Sequence, residues 1–324
     1  MTLDLPELGF GGAPIGGLLK AVDDEAAIET VKTALKSGIR YFDTAPFYGF
    51  RLSEHRMGEV LRESKDIILS SKVGRVLKRG LPENPASYGW PRPLPFHPVF
   101  DYGYDAVMRS YEDSLHRLGR DRIDILFLHD IGTFTHANSA EEQRHFKDAM
   151  TGGYRALDEL RQSGDVKAIG IGGNEIDVSL RSLDHGDWDI FLLAGMYTLL
   201  EQPALDKLLP KCELNSVKVI VGGLFNSGIL VGGSTWNYEK APLAVTQRVE
   251  LLKIICHEHK VPLPTAALKF PLAHPAIASV IPGSRNPQEF NQLLDWWNTN
   301  IPLEFWGDLK SQGLICPNAP VPVT

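Results

Sequence analysis

Cysteine is scarce in this sequence. Cys212, Cys256 and Cys316 are the whole complement of a 324-residue chain, widely spaced and odd in number. That excludes a disulfide framework and a thiolate metal cluster, and it reads as reduced thiols in a cytoplasmic protein. A surplus of positive charge is also missing. The formal net charge is −7, so there is no electrostatic footprint for nucleic acid. No apolar run approaches the roughly 20 residues a membrane helix requires. The segment Met1–Glu7 has neither a basic start nor a long apolar stretch, so no signal peptide is expected. His257 and His259 flank Glu258, but i,i+2 neighbours do not share a helical face, so no metal site is read there. Gly/Ser or Pro-rich linkers and short-period repeats are absent, which predicts one domain over residues 1–324.

What is present is an alternation of short apolar strands and amphipathic helices from end to end. Strands are predicted near residues 8–11, 39–42, 67–71, 123–128, 167–171, 189–193, 217–221 and 278–281. Between them, Ala27, Ile28, Val31, Ala34 and Leu35 share one helical face, with Gly38 as the stop. Val107, Met108, Tyr111, Leu115 and Leu118 line a second, ended by Gly119, and Tyr154, Leu157 and Leu160 a third, ended near Gly164. Such units repeated about eight times predict parallel strands closed into a (β/α)8 TIM barrel rather than an open sheet. Three connections are unusually long: residues 73–102, 130–149 and 224–241. All follow strands, so all are expected over the C-terminal face. The first and third carry aromatic residues, which either wall a small-molecule pocket or build a small core of their own.

Three of the predicted strands end in chemistry. Asp43 closes the second, and Tyr48 follows in a loop bounded by Pro46 and Gly49. Lys72 closes the third strand and His129 the fourth. Alone, each has a plain reading: a helix cap, a loop anchor, a snorkelling lysine, a core histidine. Together they fit one mechanism. A phenol is too weak an acid or base at neutral pH, with a reference pKa of about 10. A nearby ammonium favours the phenolate, and that ammonium requires a counter-charge. Tyr48 is then the acid/base, Lys72 its tuner, Asp43 the partner of Lys72, and His129 the group that orients the substrate oxygen. Phe47, Tyr48, Trp90 and His129 make the candidate substrate pocket.

The segments Asp43-Thr44-Ala45 with Tyr48-Gly49, Ser70-Ser71-Lys72-Val73, Leu126-Phe127-Leu128-His129 and Ile281-Pro282-Gly283-Ser284-Arg285 resemble the aldo-keto reductase superfamily over nearly the whole chain. Asp43, Tyr48, Lys72 and His129 fall on its four catalytic positions. Asp101-Tyr102-Gly103-Tyr104-Asp105 and Gly152-Gly153-Tyr154-Arg155-Ala156-Leu157 resemble a branch that holds D-threo-aldose 1-dehydrogenases, L-fucose dehydrogenases, plant L-galactose dehydrogenases and a pyridoxal 4-dehydrogenase. The resemblance implies oxidation of a cyclic hemiacetal to a lactone. An aldose such as L-fucose, D-arabinose or L-galactose is the first expectation and pyridoxal the second. A general NADPH-dependent aldehyde reductase and a potassium-channel β-subunit-like binding partner are the alternatives.

Gly9-Phe10-Gly11-Gly12-Ala13-Pro14 lacks the third glycine and the immediate helix of a dinucleotide fingerprint, so no Rossmann unit is read there. The resemblance instead implies NAD or NADP in extended form across the loops. The candidate contacts are Gly11, Gly12, Asn174, Gly222, Gly223, Phe225, Asn226, Ser227, Gly228, Gly283, Ser284, Arg285, Glu289 and Gln292. Departures from the family lie at Gly172-Gly173-Asn174, where only Asn174 supplies an amide, at Ala194 in place of a glutamine, and at Gly222 in place of an aromatic. Glu289 would repel a 2′-phosphate, whereas Arg285 could bind one or pair with Glu289 at i,i+4. The balance favours NAD over NADP.

Overall fold

The apolar runs pair side by side in a computed structural model that describes residues 4–136 and 138–323. Eight parallel strands follow one another: β1 (Phe10–Gly11), β2 (Tyr41–Asp43), β3 (Ile68–Val73), β4 (Ile125–His129), β5 (Ala168–Gly173), β6 (Ile190–Ala194), β7 (Lys218–Gly222) and β8 (Ile277–Val280). The ring closes through the backbone. Gly9 N–H donates to the Val280 carbonyl at 2.9 Å, Val280 N–H to Glu7 at 2.8 Å, and Gly11 N–H to Pro282 at 2.9 Å. The fold is a (β/α)8 barrel. Each predicted strand forms, displaced by at most two residues at either end. Among the described residues no helix is long and apolar enough to cross a membrane.

The period of two along each strand divides the apolar residues. Tyr41, Ile125, Phe127, Ala168, Ile190, Leu192 and Ile220 fill the barrel interior. Their neighbours Phe42, Leu126, Leu128, Ile169, Phe191, Leu193, Val219 and Val221 face the helical layer. Continuing the inward register to the strand ends gives Asp43 after Tyr41, Lys72 after Ser70, and His129 after Phe127. The same alternation that builds the core therefore carries three polar side chains to the inner rim of one face.

The helices form where their caps permit. Asp23 accepts from Ala26 N–H at 2.8 Å and starts Asp24–Lys36, whose buried face includes Ala27, Val31 and Ala34. Tyr104–Leu118 and Tyr154–Ser163 stop at Gly119 and Gly164, both with left-handed backbone. The long connections hold more structure than their composition suggests. Residues 73–102 include an antiparallel pair, Arg75–Arg79 with Phe96–Phe100, in which Pro98 sits opposite Leu77. Residues 130–149 include the helix Ser139–Asp148, started by Asn138, which accepts from Glu141 N–H at 2.9 Å. Residues 224–241 end in a small hairpin, Thr235–Trp236 with Glu239–Lys240.

Gly170 marks the tightest point of the ring: a Cβ there would lie 1.5 Å from the Ile190 carbonyl oxygen of the adjacent strand. Gly170→Ala must therefore push β5 and β6 apart. A loss of about 3 kcal/mol is expected in urea unfolding, and a change below about 0.5 kcal/mol would contradict this account of the ring.

Candidate active site

Asp43 and Lys72 meet at the rim as a buried pair, both about 1% exposed. Lys72 Nζ donates to Asp43 Oδ2 at 2.7 Å, to Oδ1 at 2.9 Å and to the Thr44 carbonyl at 2.9 Å. Three ammonium protons thus have three acceptors. Ser70 Oγ donates to Asp43 Oδ1 at 2.7 Å, and Tyr41 OH lies 3.0 Å from Ser70 Oγ. Burial drives the Asp43 carboxyl up and the Lys72 ammonium down, and their mutual contact opposes both shifts.

Tyr48 is half-buried above this pair, with Lys72 Nζ 4.6 Å from its ring centroid. The ammonium thus meets the face of the ring and keeps its hydrogen bonds for Asp43 and Thr44. Burial pushes the Tyr48 phenol well above its ordinary value, Asp43, Asp130 and Tyr238 add to the shift, and Arg75 opposes it. Contrary to the expectation from residue types, the net direction is upward, and the phenol is protonated at neutral pH. His129 stands edge-on to Tyr48 with ring centroids 6.0 Å apart. Burial, then the Arg75 and Lys72 cations, hold its imidazole well below the usual range, so it is neutral. Phe47 stands edge-on to both His129, at 6.1 Å, and Trp90, at 5.5 Å. Trp90 is buried behind Phe47 and Tyr48.

Three charged or polar neighbours are not legible from strand ends. Arg75 forms a salt bridge with Asp130, the residue after His129, and its guanidinium lies 3.9 Å from the Phe47 ring centroid. Tyr102 OH lies 2.9 Å from both the His129 and the Asp130 carbonyls. The signal was present as charge, with Asp130 directly after a strand and Arg75 three residues after Lys72.

A cavity of about 1000 Å³ opens from Asp43 and Tyr48 toward the helix Pro287–Asn298. All fourteen candidate cofactor residues line it, from Gly11 through Gln292. Trp236 and Tyr238 of the last hairpin line it too. Its floor is backbone against backbone: a Cβ on Gly11 would lie 2.6 Å from the Ile281 carbonyl, and one on Gly283 2.5 Å from that of Gly11. Gly222 is different, since its nearest neighbours leave 3.7 Å of room. Some of the candidate groups are spent within the protein. Asn226 Oδ1 accepts from Thr198 at 2.9 Å, and Ser227 Oγ from Tyr238 N–H at 3.0 Å. Glu289 accepts from Arg285 N–H at 2.8 Å and lies 3.7 Å from its guanidinium, while Arg285 Nε is buried without a partner. An extended dinucleotide fits this space: an amide at the Tyr48 end, a close-packed glycine floor, and a helix N-terminus with a cation at the far end.

Lys72→Met leaves a buried carboxylate without its counter-charge and should destabilise the fold by about 3 kcal/mol near neutral pH. Burial then acts unopposed, so the folded Asp43 pKa rises further above the unfolded value of about 3.9. A raised carboxyl loses stability as pH rises through its folded pKa, so the deficit should be smallest in acid and grow with pH. Urea unfolding of both proteins across pH checks this; a deficit that shrinks as pH rises would refute the burial of that charge.

The residues matched by the family model described as "Aldo/keto reductase family" are 7–312. A pyridoxal 4-dehydrogenase of Microbacterium luteolum is 42% identical, over 97% of this chain and 95% of its own. A D-threo-aldose 1-dehydrogenase of a Pseudomonas species is 35% identical over the same shares. Among solved structures, an aldo-keto reductase from Bacillus halodurans in its holo form superposes with a TM-score of 0.74 at 23% identity, over 99% of this chain and 95% of that one. Barrel, rim geometry and sequence relatives agree, and this chain belongs to the aldo/keto reductase family.

Proposed function

We propose that this oxidoreductase removes hydrogen from the ring carbon of a cyclic hemiacetal and releases a lactone. The observation that carries this reading is the position of Tyr48, half-buried at the cavity end where Lys72, Asp43 and His129 converge. Enzymes of this family use NAD(P)(H), and a nicotinamide held along Gly11, Gly222 and Gly283 would supply the acceptor for the hydride. The rest is the work of side chains. Tyr48, as phenolate, takes the hydroxyl proton of the substrate. Neutral His129 donates a hydrogen bond to the same oxygen and orients the carbon–hydrogen bond. Lys72 stabilises the phenolate through the ring it lies against, and Asp43 keeps Lys72 charged. One C–H and one O–H are lost, as hydride and proton, and one C=O is gained.

A pyridoxal 4-dehydrogenase and an aldose 1-dehydrogenase are both relatives, and both substrate types exist as internal hemiacetals. Pyridoxal gains weight from the higher identity, although motif resemblance alone favours an aldose. Tyr48, backed by the buried Trp90 ring, offers an aromatic surface to the flat face of either. The same barrel acting on plain aldehydes with NADPH is the alternative chemistry. The test is reduction of NAD and of NADP by the purified protein against pyridoxal, L-fucose, D-arabinose and L-galactose, with lactone identified by mass. Free thiols at Cys212, Cys256 and Cys316 fit a cytoplasmic site for this reaction.

Tyr48→Phe should keep cofactor affinity and lower turnover by about 10²–10⁴-fold; near-normal turnover would remove Tyr48 from its role. We also assign cofactor choice to Glu289, whose carboxylate is held at the start of Pro287–Asn298 by Arg285 N–H. Glutamine can accept the same bond without the charge. Glu289→Gln should therefore raise the NADP-to-NAD ratio of kcat/KM by about 5-fold, the equivalent of about 1 kcal/mol. An unchanged ratio would assign cofactor choice elsewhere.

A further inference from the structure

Arg75 and Asp130 border the site without a part in the proton transfer, and their geometry bears on His129. The imidazole is buried, and Nδ1 has no hydrogen-bond partner. Nε2 lies 3.3 Å from Asp130 Oδ2. The Lys72 and Arg75 cations oppose a second proton, so the ring carries one. On Nδ1 that proton would be a buried donor with no acceptor, which is costly. On Nε2 it lies 3.3 Å from a carboxylate oxygen, which favours a proton over a lone pair there, and it is not hydrogen-bonded to that oxygen, so it stays free for the substrate.

Asp130 is held so that it cannot turn away. Its N–H donates to the Gly172 carbonyl at 2.9 Å, and its own carbonyl lies 2.9 Å from Tyr102 OH. Its backbone is left-handed, with φ of 50°. The carboxylate is ion-paired to Arg75, and that guanidinium is wedged between Phe47 at 3.9 Å and Phe100 at 5.4 Å. Which nitrogen of a histidine carries the proton follows from what the ring atoms meet.

We propose that Asp130, locked by Arg75, is a positioning residue that fixes His129 as the Nε2–H tautomer, ready to donate to the substrate oxygen. The tautomer stands on this geometry alone; its catalytic use rests on the reading of His129 given above. Arg75 has a second effect: by neutralising Asp130 it prevents a bare carboxylate from drawing an extra proton onto the ring.

The test is nitrogen NMR of the full-length protein labelled at its ten histidines, with His129→Gln used only to assign the signal. Wild type should show a proton on Nε2 and none on Nδ1. In Asp130→Asn, Arg75 loses its counter-charge beside Nε2 and the proton should move toward Nδ1. Turnover should fall about 10²-fold, as when one oriented donor is lost, while NAD affinity measured by protein fluorescence stays within about 2-fold of wild type. A proton on Nδ1 in wild type overturns the proposal, and this holds even if the variant fails to fold. An unchanged tautomer in Asp130→Asn overturns it too. The expected tautomers without turnover on any hemiacetal would sink the proposed function and leave the role of Asp130 intact.

Discussion

The Asp43–Lys72 ion pair is the constraint on which the active-site face depends. Two charges about 1% exposed are tolerable only because every donor and acceptor between them is satisfied. Two neighbouring strands supply that arrangement. Asp43 comes from β2, Lys72 and Ser70 from β3, and the Tyr41 ring beneath them from β2 again. β2 and β3 must pair in register, with Asp43 opposite Ser70, before these groups meet, so strand pairing and site are one folding problem. The pair also fixes a point charge under the face of Tyr48, and the phenol is therefore set by its surroundings rather than by its own acidity.

The barrel was legible because its signal is periodic. Apolar residues alternate inward and outward along β2, β4 and β6, and a strand of three to six such residues is hard to mistake. The same period brought Asp43, Lys72 and His129 to one rim, since each continues the inward series of its strand. Tyr48 was legible from chemistry and loop position. Gly11 and Gly283 stand out in the sequence, and both occupy places where a Cβ would meet a carbonyl oxygen.

What was hidden is what depends on pairs far apart in sequence. Arg75 and Asp130 are separated by 55 positions, and nothing local marks them as partners. The pair Arg75–Arg79 with Phe96–Phe100 was masked by Pro93, Pro95 and Pro98, which read as loop residues. The direction of the Tyr48 shift was misread for the same reason: residue types supply the ammonium, but only the fold shows how much burial stands against it. At Glu289, the sequence shows a carboxylate and the structure shows that it also accepts from the Arg285 N–H just ahead of its helix, so it is held in place whatever the cofactor.

The central claim is that one raised phenol moves the proton. The measurement that tests it most directly is kcat/KM against pH in both directions, for wild type and Tyr48→Phe. Hemiacetal oxidation consumes phenolate, so its rate should rise across the alkaline range. Carbonyl reduction consumes phenol, so its rate should hold through neutral pH and fall only where oxidation rises. The small residual rate of Tyr48→Phe should lose both trends. Equal slopes in the two directions, or an alkaline rise that survives in Tyr48→Phe, would contradict the account.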